Sequence, residues 1–286
     1  MAYLHSDREQ FRDAIDLAYE QTGVMVQAIE KDYYVTMLLR LLAQKMPYIV
    51  FKGGTSLSKC HKVIRRFSED IDITIDTLLS QGQKKKIKQA IVDSAQELGM
   101  TIENLDETRS RRDYNRYVIA YDSVIPMASD ALKAAVLLET SYTAVSFPTV
   151  LLPVHSYIGD MMEQEAPDAI EEYNLNPFEM KVQGIDRTLA DKVFAVCDYY
   201  LQGKVAKHSR HLYDIYKLLP LVPQDENFRE LVKEVRAVRA QSVICPSALP
   251  EADVPELLEK IIKEKAYKQD YDSLTTQLLE ENVPYD

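Results

Sequence analysis

The chain has 286 residues, of which 46% are hydrophobic, with a formal net charge of −11 and a pI near 5.1. This length provides a sizeable core for one large domain or two smaller ones. Three widely spaced cysteines argue against a disulfide framework and a zinc site. No apolar run approaches the roughly 20 residues of a membrane span, and the acidic charge argues against a dedicated DNA-binding protein.

The first half of the chain is predicted to interleave helices with strands. Its first ten residues are polar and charged, without an apolar signal segment, so we expect a cytoplasmic protein. Ser6 and Glu9 fit a capping box that begins a helix reaching to about residue 19. The elements that follow are a helix over 26–44, a strand over 48–51, a short helix over 56–63, a strand over 70–75, a lysine-rich helix over 80–98, and strands over 116–123 and 132–142.

The second half changes character after Pro148 and Pro153. From Asp186 onward the pattern predicts helices over 187–202, 209–219, 225–240 and 254–281. We therefore expect an α/β core with a small mixed sheet and N-terminal helices in residues 1–150, and a mainly α-helical domain in residues 151–286.

The stretch FKGGTSLSKC at residues 51–60 places two of the eight glycines side by side. A strand that enters a Gly-Gly turn and continues into a helix presents unpaired amides at the positive end of the helix dipole, where phosphate binds. Gly53 and Gly54 let the backbone come close, and Thr55 and Ser56 add hydroxyl donors. The spacing is not that of a Walker A loop, and a purely structural turn is the alternative.

The strand over residues 70–75 carries a pair of carboxylates. Side chains alternate along a strand, so Asp70 and Asp72 share one face and the isoleucines share the other. Two such carboxylates can hold one or two divalent cations for displacement at phosphorus. A polar strand face in water is the alternative, although aspartate is depleted in strands. Glu139, after an apolar run, is a candidate third carboxylate on a neighbouring strand, or else a strand end in solvent.

Two charged residues of the predicted C-terminal helices lie beside apolar stripes. Lys192 falls on the inward face of the helix over 187–202, so its ammonium must either reach outward to water or meet an anion. Asp214 borders a second apolar set four residues after Arg210, and the simplest interpretation is an i,i+4 ion pair of little energetic weight.

These segments together resemble a known family. FKGGTSLSK followed by RFSEDIDI is similar to the Gly-Gly/Ser and Asp-x-Asp motifs of the polymerase-β-like nucleotidyltransferase superfamily. More closely, it resembles the AbiEii/AbiGii group, the toxins of type IV toxin–antitoxin and abortive-infection systems, which are related to the MenT toxins. IEKDYYV at 29–35, LADKVFAV at 189–196 and RHLYDIYKL at 210–218 also resemble that group.

The resemblance implies an α+β fold: a polymerase-β-like nucleotidyltransferase core with a small mixed sheet, followed by an α-helical part that completes the active site. It implies transfer of a nucleoside monophosphate from a nucleoside triphosphate (NTP), with Mg²⁺ or Mn²⁺ as cofactor. The implied metal ligands are Asp70, Asp72 and Glu139. The implied catalytic set adds Lys192 and Asp214, and the implied nucleotide-binding set is Lys52, Gly53, Gly54, Thr55, Ser56, Ser68 and Lys192.

The acceptor and the partners also follow from the resemblance. We expect the 3′ end of tRNA as acceptor, bound through the basic segments 84–88, 109–116 and 204–211, and a cognate antitoxin protein as partner. A charge run is otherwise a solvated helix face. Transfer to a protein or a small molecule is the alternative within the same chemistry, and a nucleotide-binding regulator without turnover is the alternative outside it. No membrane association is expected.

Overall fold

The computed structural model describes residues 2–68, 70–126 and 133–286. Contacts between residues divide the chain into two units. The first unit comprises Met1–Cys60 and Ser68–Val182, and the second comprises His61–Phe67 and Gln183–Asp286. No helix in these described ranges is long and apolar enough to cross a membrane.

The first unit carries a mixed sheet and the helices that pack on it. Its strands are β1 (Ile49–Lys52), β2 (Ile71–Ile75), β3 (Thr101–Ile102), β4 (Tyr114–Ala120), β5 (Ala135–Val145), β6 (Thr149–Val154) and β7 (Phe178–Gln183). Its helices are α1 (Arg8–Thr22), α2 (Val26–Lys45), α3 (Gly53–Lys59), α4 (Gln81–Glu97), α5 (Tyr157–Glu165) and α6 (Pro167–Glu172).

The seven strands of this sheet lie in the order β3-β4-β5-β2-β1-β7-β6. Strand β2 pairs antiparallel with β1 and parallel with β5, and β4 pairs antiparallel with β5. The core of the unit joins one face of these strands to α1, α2, α4 and α5. On β2 this face is formed by Ile71, Ile73 and Ile75, each at most 1% exposed, as the alternation of the sequence predicts.

Most predicted elements of the first unit are present, with shifts at their ends. Helix α1 is capped by Asp7, whose carboxylate accepts the amide of Gln10 at 3.1 Å, so the predicted Ser6 capping box is wrong. Ser6 instead ends a short turn, Leu4–Ser6, and the carboxylate of the next residue takes the capping position. The strand predicted over 132–142 is β5, although its first residue, Leu132, lies outside the described residues.

The second unit is helical. It contains α7 (Ile185–Leu201), α8 (Arg210–Leu218), α9 (Glu226–Arg239), α10 (Val254–Glu264) and three short consecutive helical segments, Lys268–Asp270, Tyr271–Thr275 and Thr276–Leu278. The four predicted C-terminal helices are therefore present. The last is interrupted at Lys265, which adopts a left-handed φ of 49° and ends α10.

A short segment of the first half, His61–Phe67, belongs to the second unit. The amide of Phe67 donates to the carbonyl of Leu278 at 2.8 Å, and the amide of Glu280 donates to the carbonyl of Arg65 at 3.0 Å. These contacts join positions more than 200 residues apart, so no local pattern predicts them.

The division of the chain by contacts differs from the predicted boundary between residues 150 and 151. The sequence pattern does not predict β6 and β7, and β7 pairs parallel with β1 through Phe51 and Val182. The sheet therefore holds the chain up to Val182 in the first unit. The assignment of separate functions to two domains stays a prediction.

Candidate active site

Four charged residues form a row across the sheet of the first unit, on the face opposite the buried isoleucines of β2. Asp72 is the register partner of Lys52 on β1 and of Glu139 on β5. Glu139 is in turn the partner of Arg116 on β4. Directly paired residues point to the same side of a sheet with Cβ atoms about 5 Å apart. The predicted proximity of Glu139 to Asp72 is thus confirmed by the register.

The turn after β1 is shaped around Asp72. Gly53 has φ of 81°, a left-handed value that disfavours other residues. A Cβ atom built on Gly53 would lie 2.0 Å from Oδ2 and 2.9 Å from Cγ of Asp72. Only glycine therefore allows the turn to lie against this carboxylate, which explains the first glycine of the Gly-Gly pair.

Asp70 is half-buried and directly precedes β2, the strand that carries Asp72. Its Oδ1 atom is fully buried and has no hydrogen-bond partner among the described residues. A buried carboxylate oxygen without a partner is costly unless a ligand or ion binds it. This oxygen marks the Asp70–Asp72 edge as a place for a cation.

The donor set at this edge suits a hard divalent cation. Within the described ranges no group of three or more His, Cys, Asp or Glu side chains is arranged to hold a metal ion. Mg²⁺, however, is commonly held by one or two protein carboxylates together with substrate phosphates and water. Asp70 and Asp72 therefore fit Mg²⁺ or Mn²⁺, and the role of Glu139 as a third ligand stays a prediction.

Glu139 is engaged by two residues that the sequence analysis did not assign to the site. The Nε atom of Arg116 lies 3.8 Å from its Oε1 atom. Tyr114, two residues before Arg116 on β4, forms a side-chain hydrogen bond with Glu139. Partial burial and the Glu139 charge raise the pKa of Tyr114, so its hydroxyl stays protonated and donates. In the sequence, Arg116 stood out only as part of a basic run.

The hydroxyl groups of the predicted nucleotide-binding set face inward. Ser56 is fully buried, and its hydroxyl donates to the carbonyl of Gly53 at 2.9 Å. Thr55 is buried and its hydroxyl lies 2.9 Å from that of Ser68. These bonds fix the turn and tie α3 to the segment before β2. Direct contact of the three hydroxyls with a nucleotide stays a prediction.

Helix α3 is also anchored at its other end. Lys59 is buried and forms an ion pair with Asp32 of α2. The second carboxylate oxygen of Asp32 accepts the amide of Tyr157 at 3.1 Å. The segment IEKDYYV thus contributes a largely buried carboxylate, 13% exposed, that holds α3, and with it the Gly-Gly turn, in place.

The second unit contains a separate buried ion cluster. Arg66 donates to both oxygens of Asp214, through Nε at 2.7 Å and Nη2 at 2.8 Å. The Nζ atom of Lys192 donates to Oδ2 of the same carboxylate at 2.6 Å. All three side chains are at most 8% exposed. Lys192 therefore meets an anion rather than reaching outward, and Asp214 is paired by Arg66 and Lys192 instead of by Arg210.

The charged groups of this cluster shift one another's pKa values. Burial would raise the pKa of Asp214, but the positive charges of Lys192 and Arg66 outweigh burial and hold this pKa well below its usual range. Burial lowers the pKa of Lys192 against the pull of Asp214. Burial, reinforced by Lys192, lowers the pKa of His211 well below its usual value, so His211 is neutral at pH 7.

We expect an Asp214→Ala variant to lose about 3–5 kcal/mol of unfolding free energy, because Arg66 and Lys192 would remain buried without a counter-charge. Urea denaturation followed by circular dichroism measures this loss. The matched control is Asp272→Ala, which removes an exposed ion pair with Lys268 in the same unit and is expected to cost at most about 1 kcal/mol. Equal losses in both variants would contradict the role of the cluster.

The stability difference between wild type and the Asp214→Ala variant is expected to depend on pH. The pKa of Asp214 is lowered in the folded state, so its stabilising contribution is present above the unfolded value of about 3.9 and is lost as the pH falls below it. The difference in unfolding free energy between wild type and Asp214→Ala should therefore be on the order of several kcal/mol near pH 5 and shrink below about pH 4.

Comparison with known proteins gives one family. The model described as nucleotidyl transferase AbiEii toxin, type IV TA system, matches residues 36–285. Among solved structures, MenT4, a nucleotidyltransferase toxin from Mycobacterium tuberculosis H37Rv, is 17% identical with a TM-score of 0.49, over 80% of this chain and 70% of that chain. JHP933 from Helicobacter pylori is 14% identical with a TM-score of 0.36, over 84% of this chain and 93% of that chain. No curated protein gives a match.

Proposed function

The chain belongs to the AbiEii nucleotidyltransferase toxin family of type IV toxin–antitoxin systems, and we propose that it transfers a nucleoside monophosphate at the Asp70–Asp72 edge of its sheet. The observation that carries this placement is the buried Oδ1 atom of Asp70, which has no partner among the residues described. The contact of Asp72 with Gly53 joins that edge to the Gly-Gly turn.

Asp70 and Asp72 would hold Mg²⁺ or Mn²⁺, with Glu139 as a further proposed ligand. When bound, the cation would neutralise charge on the triphosphate and make the α-phosphorus more electrophilic. The proposal is supported by the carboxylate oxygens at the edge of β2 and by their register with Glu139.

The turn would bind the triphosphate of the NTP. The first amides of a helix have no partner within the helix, and Lys52 adds a positive charge at the end of β1. Since the hydroxyls of Thr55 and Ser56 are directed inward, we assign phosphate contact to the backbone of the turn. Lys192 and Asp214 are retained as proposed catalytic residues on the family resemblance alone.

In the proposed reaction an acceptor hydroxyl attacks the α-phosphorus. A new oxygen–phosphorus bond forms, the bond to the bridging oxygen breaks, and pyrophosphate leaves with the electron pair. Glu139 or an aspartate of the pair accepts the proton of the hydroxyl. Positioning and charge neutralisation would account for the rate, without a covalent enzyme intermediate.

The finer assignments extend this proposal. We take the 3′ end of tRNA as acceptor, the cytoplasm as location, and a cognate antitoxin encoded with the toxin as partner. A role in abortive infection and phage defence follows from the same family reading. The net charge of −11 keeps transfer to a protein or a small molecule as the alternative.

The test incubates the full chain with each α-labelled NTP, Mg²⁺ and total tRNA. Label in RNA that disappears in an Asp70→Ala/Asp72→Ala variant supports the proposal. Label in protein, or in a small molecule from a cell extract, supports the alternative acceptor. NTP binding without transfer to any component of the extract would overturn the catalytic assignment and favour a regulator.

A further inference from the structure

Two basic segments far apart in the sequence form one surface of the first unit. Residues 84–88 lie on α4, and residues 109–116 lead into β4. Lys84 forms an ion pair with Asp113, and the Nζ atom of Lys88 donates to the carbonyl of Thr108 at 2.9 Å. This basic surface, residues 84–88 and 109–116, contains eight basic residues and one acidic residue on a chain of net charge −11.

The loop that carries the arginines of the basic surface is fixed by a buried amide. Asn115 is 4% exposed. Its Oδ1 atom accepts the amide of Arg109 at 2.8 Å, and its Nδ2 atom donates to the carbonyl of Arg109 at 3.0 Å. Arg109, Arg111 and Arg112 themselves are exposed. A ligand of this loop therefore does not have to order the backbone, which lowers the entropic cost of binding.

The basic surface reaches the proposed active site through β4. Tyr114 and Arg116 lie two residues apart on β4 and are both exposed, and the alternation of the strand places them on the face that carries Glu139. Tyr114 is 51% exposed and bonds to Glu139. Arg116 lies 3.8 Å from the same carboxylate, whose register partner is Asp72. An aromatic ring flanked by arginines thus adjoins the carboxylates.

We propose that the basic surface binds the phosphates of a single-stranded polynucleotide, one of whose bases stacks on Tyr114. Arginines and lysines contact the backbone of a single strand, and aromatic rings stack on its bases. An acidic peptide would use the positive charges but would leave the exposed ring without a base to stack on. The inference rests on the proposed nucleotidyl transfer, and it names this surface as the site that holds the acceptor strand.

Binding is measured by fluorescence anisotropy with a fluorescein-labelled 12-nucleotide RNA of A and C, using the full chain without NTP or divalent cation. We expect Arg111→Glu/Arg112→Glu to weaken binding at least about tenfold and to reduce the slope of log affinity against log salt by about 1.4. We expect Tyr114→Leu to weaken binding about fivefold or more, and Tyr114→Phe, which retains the ring, to bind normally.

Two control variants reverse the same number of positive charges at positions outside the basic surface. Arg229→Glu/Lys233→Glu acts on exposed residues of α9, and Lys204→Glu/Lys207→Glu acts on the third basic segment. Both should retain RNA affinity within about twofold, since the inference assigns phosphate contacts to the basic surface. Loss of binding only in the Lys204/Lys207 variant would overturn the inference, as would equal competition by polyglutamate of the same charge.

The measurement separates this inference from the proposed function. If RNA binds the basic surface but no label is transferred in the NTP assay, the proposed function fails and the surface remains. If label is transferred to RNA with an unchanged KM in Arg111→Glu/Arg112→Glu and in Tyr114→Leu, the surface assignment is wrong and the proposed function remains.

Discussion

An Asp72→Asn variant is expected to retain its fold and lose about 10³-fold in the rate of nucleotidyl transfer. Asparagine has nearly the shape of aspartate, so the contact with the Gly53 turn is kept while the negative charge is removed. Without that charge, the Asp70–Asp72 edge would bind a divalent cation weakly and would not neutralise the triphosphate. The rate is measured with α-labelled NTP under single-turnover conditions, and the fold by circular dichroism.

The matched control for this variant is Asp76→Asn. Asp76 directly follows the same strand and forms an ion pair with Lys181, whose side chain is 41% exposed. Loss of such a pair costs at most about 1 kcal/mol, and transfer should stay within about twofold of wild type. Equal activity in Asp72→Asn and wild type would show that the reaction does not depend on the carboxylate at residue 72.

A Gly53→Ala variant is expected to weaken NTP binding in the presence of Mn²⁺ about 100-fold or more, comparable to the loss of a catalytic donor. Its Cβ atom would lie 2.0 Å from Oδ2 of Asp72, so either the carboxylate or the turn must move. Alanine at φ of 81° also costs about 1–2 kcal/mol. Affinity is measured by titration with a fluorescent NTP, and stability by thermal unfolding.

The Gly99→Ala variant distinguishes the effect of the contact between residue 53 and Asp72 from the general cost of placing alanine at a positive φ. Gly99 has φ of 66° in the same unit, and a Cβ atom there would meet nothing within 4 Å. This variant should lose a similar 1–2 kcal/mol of stability but bind NTP normally. If both glycine variants bind NTP equally, the contact between Gly53 and Asp72 is not part of the nucleotide site.

The alternation along β2 is an example of a feature that the sequence predicts correctly. A period of two places Asp72 on the face opposite the isoleucines, and the burial of those isoleucines confirms it, while Asp70 directly precedes the strand. The Gly-Gly pair predicts a turn, and the chain turns at Gly53, where β1 ends and α3 begins. These features depend on neighbours within a few residues, which local backbone geometry controls.

The contacts of Lys192 and Asp214 are an example of features that the sequence does not predict. Helical periodicity predicts that Lys192 lies on an inward face and that it either meets an anion or reaches water. It does not identify Asp214 as that anion. Nor does it identify Arg66, a residue 148 positions away from Asp214 that belongs to the same buried cluster.

The sequence by itself therefore determined the family, the order of most helices and strands, and the carboxylate pair, because motifs and periodicity are local properties. Only the tertiary structure decided the row from Lys52 to Arg116, the engagement of Glu139 by Tyr114, and the union of two basic segments into one surface. Those features depend on strand register and on contacts between distant segments. The free energy of burying the whole core selects that register, and no single segment of the chain encodes it.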